Sequence, residues 1–189
     1  MKKILILAGC VCGTIFWASA QQVASSKCTL KGCCTDKEYY MDQAIELSKQ
    51  SVVTGGGPFG AVVVKDGKVI AAASNSVTQT NDPTAHAEIN AIRKACSTLK
   101  TFSLEGCELY TSCEPCPMCL SAAYWANIKK IYFGNTRADA KKINFDDSFI
   151  YDEIPLDVNK RRIPSERVGG DKAIEAFKMW TAKSDKIEY

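Results

Sequence analysis

The stretch TAHAE at residues 84–88 and the stretch CEPCPMC at residues 113–119 decide how this chain folds and what it holds. The first supplies His86 as a nitrogen ligand, and the second supplies two thiolates at the C-x-x-C spacing. Three protein ligands leave one position of a tetrahedral zinc ion open for water, which a catalytic site requires. Glu88 is not needed for coordination, so its carboxylate is free to act as a general acid and base. The two motifs together predict a catalytic zinc site.

Three closely spaced cysteines compete for the two thiolate positions, because Cys113/Cys116 and Cys116/Cys119 have the same spacing. We choose Cys116 and Cys119, since Pro115 directly before Cys116 suits the start of a helix on which residues i and i+3 share a face. Cys113 is then expected near the metal but not bound to it. The alternatives are a disulfide or a structural zinc site with Cys113 as fourth ligand. A four-ligand site would leave no room for water and no role for Glu88.

Hydrophobic periodicity and turn residues place both motifs in an α/β domain. The pattern predicts helices over residues 36–52, 85–99, 116–125 and 171–183, and strands over residues 59–64, 68–73, 107–111 and 130–133. A hairpin turn is expected at Asp66-Gly67, and residues 75–83 are expected to form a polar loop. His86 and Glu88 then lie in the first turn of one helix and Cys116 opens another. Two helix amino termini converge on the metal and favour thiolate over thiol.

Composition and charge bound the class of protein. The chain has 189 residues, of which 46% are apolar and 24% charged, as expected for one globular domain. Its net charge is +3, and Lys2 and Lys3 of the leader account for two of these charges. A nucleic-acid partner is not expected, because binding of that kind needs a dense basic surface.

The amino terminus has the form of a secretory signal peptide over residues 1–20, with Ala18-Ser19-Ala20 as the cleavage site. A linker is predicted over residues 21–34 and the domain over residues 35–189. The protein is therefore expected to be exported to the periplasm or the medium, without a membrane span once the leader is removed. If Met41 is the true start, the protein is cytoplasmic instead. A lipid anchor at Cys10 is the less favoured variant, because the apolar run before it is very short.

Three cysteines, Cys28, Cys33 and Cys34, lie just before the domain. In an exported chain they are expected to pair or oxidise, and one of the three must remain odd. The sequence leaves their pairing open.

From about Glu38 to Tyr189 the chain resembles the bacterial guanine deaminases of the cytidine deaminase-like superfamily. The zinc motifs have the H-x-E and P-C-x-x-C form that the whole superfamily shares. The FDDSF segment and the terminal Tyr189 narrow the resemblance to guanine deaminases. The matching stretches are GGPFGAV at residues 56–62, NDPTAHAE at 81–88, YTSCEPCPMC at 110–119, FDDSF at 145–149 and EY at 188–189.

The resemblance implies a three-layer α/β/α fold around a central mixed five-stranded sheet, and a homodimer that exchanges carboxy-terminal segments. It implies that Asn75, Asp147 and Tyr189 hydrogen-bond a purine base, while an aromatic such as Phe59 packs on its face. The expected reaction is the Zn²⁺-dependent hydrolysis of guanine to xanthine and ammonia, with Glu88 moving the protons.

Other interpretations stay open at this point. A tRNA adenosine deaminase shares the zinc motifs but needs a basic surface for RNA, which the near-neutral body lacks. Deamination of another nucleobase or amino-heterocycle depends on pocket contacts that the motifs do not specify. An exported binding protein that kept the fold without catalysis is a further class, against which the intact His86, Glu88, Cys116 and Cys119 count.

Overall fold

The computed structural model describes residues 36–188, so the predicted signal peptide, the linker and Tyr189 lie outside the described residues. The elements along the chain are α1 (Asp36–Val53), β1 (Gly60–Lys65), β2 (Lys68–Ser74), α2 (Val77–Thr80), α3 (Ala87–Leu99), β3 (Glu108–Cys113), α4 (Pro117–Trp125), β4 (Lys130–Asn135), α5 (Arg137–Lys142), α6 (Ser148–Glu153), a 3₁₀ turn (Val158–Lys160) and α7 (Gly170–Ala182).

The strands form one mixed sheet in the order β2-β1-β3-β4. Strand β1 is antiparallel to β2 and to β3, and β3 is parallel to β4. The β1–β2 turn has positive φ at Asp66 (49°) and Gly67 (72°), as a two-residue hairpin turn of the primed type requires. The parallel pair needs a crossover connection, and α4 supplies it. The predicted mixed sheet is confirmed, with four strands within residues 36–188 where the resemblance implies five.

Alternation along the strands sorts the core into two layers, one on each face of the sheet. Ala61 and Val63 of β1 pack with Leu109 of β3 against buried residues of α3 and α4. Val62 and Val64 point the other way. They pack with Tyr110 against Tyr40 and Ala44 of α1. The predicted three-layer α/β/α arrangement is therefore confirmed.

Two local predictions need correction. The second long helix begins at Ala87 rather than Ala85, because His86 has an extended backbone (φ −67°, ψ 157°) and stands as the residue before the helix. The predicted loop over residues 75–83 contains the short helix α2, which ends at Asn81 in the left-handed region (φ 52°). Asparagine tolerates that conformation and can therefore end a short helix. The polar composition of the segment did not indicate this single helical turn.

The residues after β4 contrast with this core. Within residues 136–188, Ala140 is the one buried residue, at 9% exposure. Helix α7 buries none of its side chains, and Phe177 and Met179 are 71% and 74% exposed. In the part of the chain described, no helix combines the length and apolarity that a bilayer crossing requires.

Candidate active site

The three predicted metal ligands come together at the amino ends of α3 and α4. His86 directly precedes α3, and Cys116 directly precedes α4, whose first residue is Pro117. Proline is favoured at that first helical position because its missing N–H has no helical acceptor there. Cys119 lies one turn into α4 and is fully buried. The ligand atoms of His86, Cys116 and Cys119 all lie within 4.8 Å of one another.

The spacing of these atoms fits tetrahedral zinc. A Zn–N bond of about 2.0 Å and a Zn–S bond of about 2.3 Å at the tetrahedral angle separate nitrogen and sulfur by about 3.5 Å. His86 Nδ1 lies 3.6 Å from Cys116 Sγ and 3.5 Å from Cys119 Sγ. The five cysteines of residues 36–188 are all free, so no disulfide competes for these thiols. One nitrogen and two sulfurs are therefore positioned to bind a zinc ion.

The two thiols differ in their proton affinity. A hydrogen bond from Cys119, helped by His86, lowers the pKa of Cys116 to about 4. The same hydrogen bond to Cys116 and burial raise the pKa of Cys119. Without metal, Cys116 is the thiolate and Cys119 carries the proton. Binding of a metal through both sulfurs therefore displaces a proton from Cys119.

Glu88 lies beside this cluster in the first turn of α3 and is 5% exposed. Its Oε1 accepts a hydrogen bond from Thr111 Oγ1 at 3.1 Å, and its Oε2 lies 3.5 Å from Cys119 Sγ. Burial raises the pKa of Glu88, which favours its protonated form, and the Thr111 hydrogen bond opposes that shift. A carboxyl group with a raised pKa next to a metal site is suited to accepting and returning protons near neutral pH.

A cavity of about 530 Å³ opens onto these groups. His86, Cys116 and Glu88 lie along its wall, together with the predicted substrate residues Phe59, Asn75 and Asp147. The structure thus brings the predicted metal side and the predicted substrate side to one cavity, except for Tyr189, which lies outside the described residues.

Asn75 lines the cavity, and its amide oxygen is already engaged by the backbone. The residue is 5% exposed, and its Oδ1 accepts from the backbone N–H groups of Gly57 (3.4 Å) and Val77 (3.2 Å). Because these two bonds fix the oxygen, the amide orientation is determined and Nδ2 remains the group available to a ligand. Asn75 is therefore a hydrogen-bond donor toward the cavity.

Asp147 supplies the complementary acceptor. It precedes α6, and its carboxylate accepts no hydrogen bond from any other residue among 36–188. Burial raises the pKa of Asp147, which means that the charged form lacks its usual solvation. Next to it, Phe145 packs edge-on against Phe59 with ring centroids 5.0 Å apart. This pair gives the cavity an apolar wall.

Sequence reasoning assigned no role to the contacts that hold Asp147 there. The backbone N–H of Arg137 donates to Glu114 Oε2 (3.1 Å), and the Arg137 guanidinium lies 4.2 Å from the centre of the Tyr151 ring. Tyr151 donates its hydroxyl hydrogen to the Pro115 carbonyl at 3.1 Å. These contacts attach α5 and α6 to the loop before Cys116. The Tyr151–Pro115 bond joins residues that are 36 positions apart, and the Arg137–Glu114 bond joins residues that are 23 positions apart. No local sequence pattern could therefore have indicated these contacts.

Comparison with known proteins places the same residues in a family. Residues 34–135 match the cytidine and deoxycytidylate deaminase zinc-binding region. A guanine deaminase of Bacillus subtilis is 49% identical over 153 residues, a match that covers 80% of this chain and 98% of that protein. The X-ray structure of guanine deaminase from Bacillus subtilis has a TM-score of 0.78 over the same shares of both chains.

Two further relatives match shorter parts of the chain. A structure of guanine deaminase from Nitrosomonas europaea is 35% identical, with a TM-score of 0.56, and the match covers 58% of this chain and 64% of that one. A tRNA-specific adenosine deaminase of Aquifex aeolicus is 47% identical over 97 residues, which cover 51% of this chain and 64% of that protein. The match to the tRNA enzyme thus spans half of this chain, whereas the match to the Bacillus subtilis protein extends over four fifths of it.

Proposed function

This chain belongs to the cytidine and deoxycytidylate deaminase family of zinc hydrolases, and we propose that it converts guanine and water to xanthine and ammonia. The observation that carries the proposal is the shared cavity. It joins a His-Cys-Cys metal cluster and a buried Glu88 to an oriented donor at Asn75 and an unpaired acceptor at Asp147.

Held by His86, Cys116 and Cys119, a zinc ion would act as a Lewis acid and lower the pKa of a water molecule. Glu88 moves the protons. Its Oε2, on the side of Cys119, accepts a proton from the attacking water while the oxygen adds to C2 of guanine. Glu88 passes this proton to the adjacent ring nitrogen, and then takes the second proton from the hydroxyl group now bonded to C2 and gives it to the departing amine, so that ammonia leaves and the carbonyl of xanthine forms.

The polar groups of the cavity fit the edge pattern of guanine. Guanine offers N7 and O6 as acceptors, whereas adenine carries a donor in place of O6. The NH₂ group of Asn75 matches an acceptor of guanine, and the carboxylate of Asp147 matches its ring N–H donors. A base with the wrong pattern leaves the buried Asn75 and the half-buried Asp147 unpaired, and that loss produces strong discrimination.

The decisive experiment measures zinc content and ammonia release on a panel of guanine, adenine, cytosine, cytidine and an adenosine-containing tRNA stem-loop. We expect one zinc per chain and release from guanine alone. The matched control is Glu88→Gln, which keeps the volume of the side chain and should retain zinc while lowering kcat by about a hundredfold to ten-thousandfold. Zinc-loaded protein that releases ammonia from another member of the panel but not from guanine would overturn the substrate. Full activity of Glu88→Gln would overturn its role.

We also propose a homodimer with exchanged carboxy-terminal segments, as the resemblance implies. Its support is the unburied apolar surface of α7, where Phe177 and Met179 face solvent and Trp180 is 41% exposed. Single domains seldom leave a helix with this much apolar area uncovered unless a partner covers it. Exchange would carry Tyr189 of one subunit to the cavity of the other.

Subunit mixing tests the exchange directly. One variant carries Glu88→Gln with an intact tail, and the other keeps Glu88 but lacks Tyr189; each alone should be inactive. If the tails cross, mixed dimers contain one complete site, and a statistical mixture recovers about a quarter of the wild-type sites. If each tail serves its own subunit, the mixture stays inactive, and that result would contradict the exchange. The control mixes each variant with itself under the same refolding conditions.

Export remains a prediction of the sequence. Mass spectrometry of the amino terminus after expression in the native host, together with cell fractionation, tests it. Processing after Ala20 would support the leader and the domain boundary near residue 35, whereas a cytoplasmic protein beginning at Met41 would contradict both.

A further inference from the structure

Thr111 occupies a position in the sheet that connects it to the catalytic carboxylate. It lies in the interior of β3, where it is opposite Ala61 of β1 on one side and Phe133 of β4 on the other. Its side chain is fully buried, and its hydroxyl donates to Glu88 Oε1 at 3.1 Å. Burial of a hydroxyl group costs free energy unless the group is hydrogen-bonded, and here the bond to Glu88 offsets that cost.

The bond separates the two oxygens of Glu88. Oε1 is engaged by Thr111, whereas Oε2 lies on the side of the metal cluster, 3.5 Å from Cys119 Sγ. A threonine hydroxyl has one hydrogen, and here that hydrogen is committed to Oε1. Oε2 accepts a hydrogen bond from the Cys119 thiol only while that thiol keeps its proton. Once Cys119 binds a metal as a thiolate, Oε2 is left as the oxygen that can take a proton on the metal side.

We propose that Thr111 is a positioning residue for the proposed deamination: it fixes the Glu88 carboxylate so that Oε2, and not Oε1, carries the transferred proton. The inference rests on the proposed function only for the identity of the reaction. The geometry it claims, one oxygen held and the other presented to the metal side, concerns two residues of this chain alone.

Two features allow Thr111 to hold the Glu88 carboxylate in one orientation. The backbone on both sides is paired, since β3 lies between β1 and β4. The β-branched side chain has few χ1 states, so the hydroxyl has little freedom to turn away. Glu88, by contrast, has three rotatable side-chain bonds, and a catalytic group must be held within about half an ångström of its productive position. The Thr111 hydroxyl, held on a strand that is paired on both sides, therefore restricts the orientation of the more flexible Glu88 side chain.

The experiment compares Thr111→Val, which removes the hydroxyl at nearly constant volume, with Thr111→Ser, which keeps it. We expect Thr111→Val to lower kcat on guanine by about tenfold to a hundredfold, with KM and zinc content unchanged. Thr111→Ser should stay within about threefold of wild type. If the valine variant does not fold, Thr111→Ala against Thr111→Ser isolates the same hydroxyl.

Ser112 provides the matched control on the same strand. Its buried hydroxyl accepts from the Gly60 backbone N–H at 3.0 Å and has no bond to Glu88. Ser112→Ala should lower the melting temperature by about 2–8 °C without changing kcat of the folded enzyme. The pair thereby distinguishes loss of a buried hydroxyl in general from loss of the bond to Glu88.

A crystal structure of Thr111→Val tests the positioning whatever the substrate proves to be. We expect the Glu88 carboxylate to rotate or to occupy two orientations, while the metal ligands keep their places. An unmoved carboxylate in Thr111→Val, or unchanged kcat where wild type is active on guanine, would overturn the proposal. Inactivity of the wild type on guanine would instead count against the proposed function and leave the structural test decisive.

Discussion

The metal side and the substrate side of this molecule are built in different ways. The ligands and Glu88 lie at the amino ends of α3 and α4, two helices whose buried side chains form an apolar core with the sheet. The substrate side uses Asp147 from a segment in which Ala140 is the one buried residue among 136–188. One region is fixed by its own packing, and the other by a few polar contacts to the loop before Cys116.

The two regions also differ in how far relatives match them. The match to the zinc-binding region ends at residue 135, before the segment that supplies Asp147. The match to the tRNA-specific adenosine deaminase covers only 51% of this chain, whereas the match to the Bacillus subtilis guanine deaminase covers 80%. Asn75 and Phe59 lie within the matched zinc-binding region, so Asp147 and its neighbours after β4 are where we look for differences in substrate choice between the two groups of relatives.

The largest effect is expected from removal of one of the three metal ligands. Cys119→Ala deletes a buried thiolate and leaves only two protein ligands. We expect zinc content near zero by atomic emission and no detectable ammonia release, because both the Lewis acid and the arrangement of the helix ends are lost. Cys96→Ala, a cysteine of α3 outside the metal cluster, is the control and should retain its zinc. A zinc-loaded Cys119→Ala would refute the ligand assignment.

Packing gives the second contrast. Leu109→Ala in β3 removes a fully buried side chain and should lower the free energy of unfolding by about 2–5 kcal/mol in urea titrations. Met179→Ala in α7 removes a side chain that is 74% exposed. It should change the free energy of unfolding by less than about 0.5 kcal/mol at concentrations where the protein is monomeric. A large effect of Met179→Ala that grows with protein concentration would show that a partner subunit covers α7.

A substitution on the substrate side should separate binding from chemistry. Asp147→Asn keeps the shape of the side chain but replaces an acceptor oxygen by a donor, so it should lower kcat/KM for guanine by about tenfold to a hundredfold without loss of zinc. Steady-state kinetics with parallel metal analysis measure both. Loss of zinc in this variant would mean that the two sides are not independent.

The smallest expected effect is the pH dependence of zinc binding. Because the raised pKa of Cys119 keeps that thiol protonated without metal, zinc must displace the proton, and its apparent affinity should rise about tenfold per pH unit for each proton released. Cys116, with a pKa of about 4, should release none in the neutral range. The hydrogen bond to Cys116 raises the pKa of His86, so the imidazole releases a second proton at the acidic end of the range. Chelator competition between about pH 6 and pH 8 measures the slope, and an affinity that is independent of pH would mean that neither Cys119 nor His86 carries a proton before zinc binds.

Local pattern anticipated much of this molecule. Periodicity and turn residues predicted the helix over residues 36–52, observed at Asp36–Val53, and the hairpin about Asp66-Gly67. Such features depend on neighbours in sequence, which pattern analysis can see. The start of α3 was misplaced by two residues, because His86 is the N-cap of the helix and has an extended backbone, which hydrophobic periodicity does not indicate.

The sequence by itself determined the chemistry: the types and spacing of His86, Glu88, Cys116 and Cys119 limit the ligand set and the role left for a carboxylate. Only the tertiary structure decided which way the groups point. Two backbone N–H groups orient the amide of Asn75, and the Asp147 carboxylate has no hydrogen-bond donor from another residue within residues 36–188. Thr111 donates to Glu88, which lies 23 positions away along the chain. The physical reason is that ligand chemistry is a property of residue type, whereas orientation comes from contacts between residues that are distant along the chain.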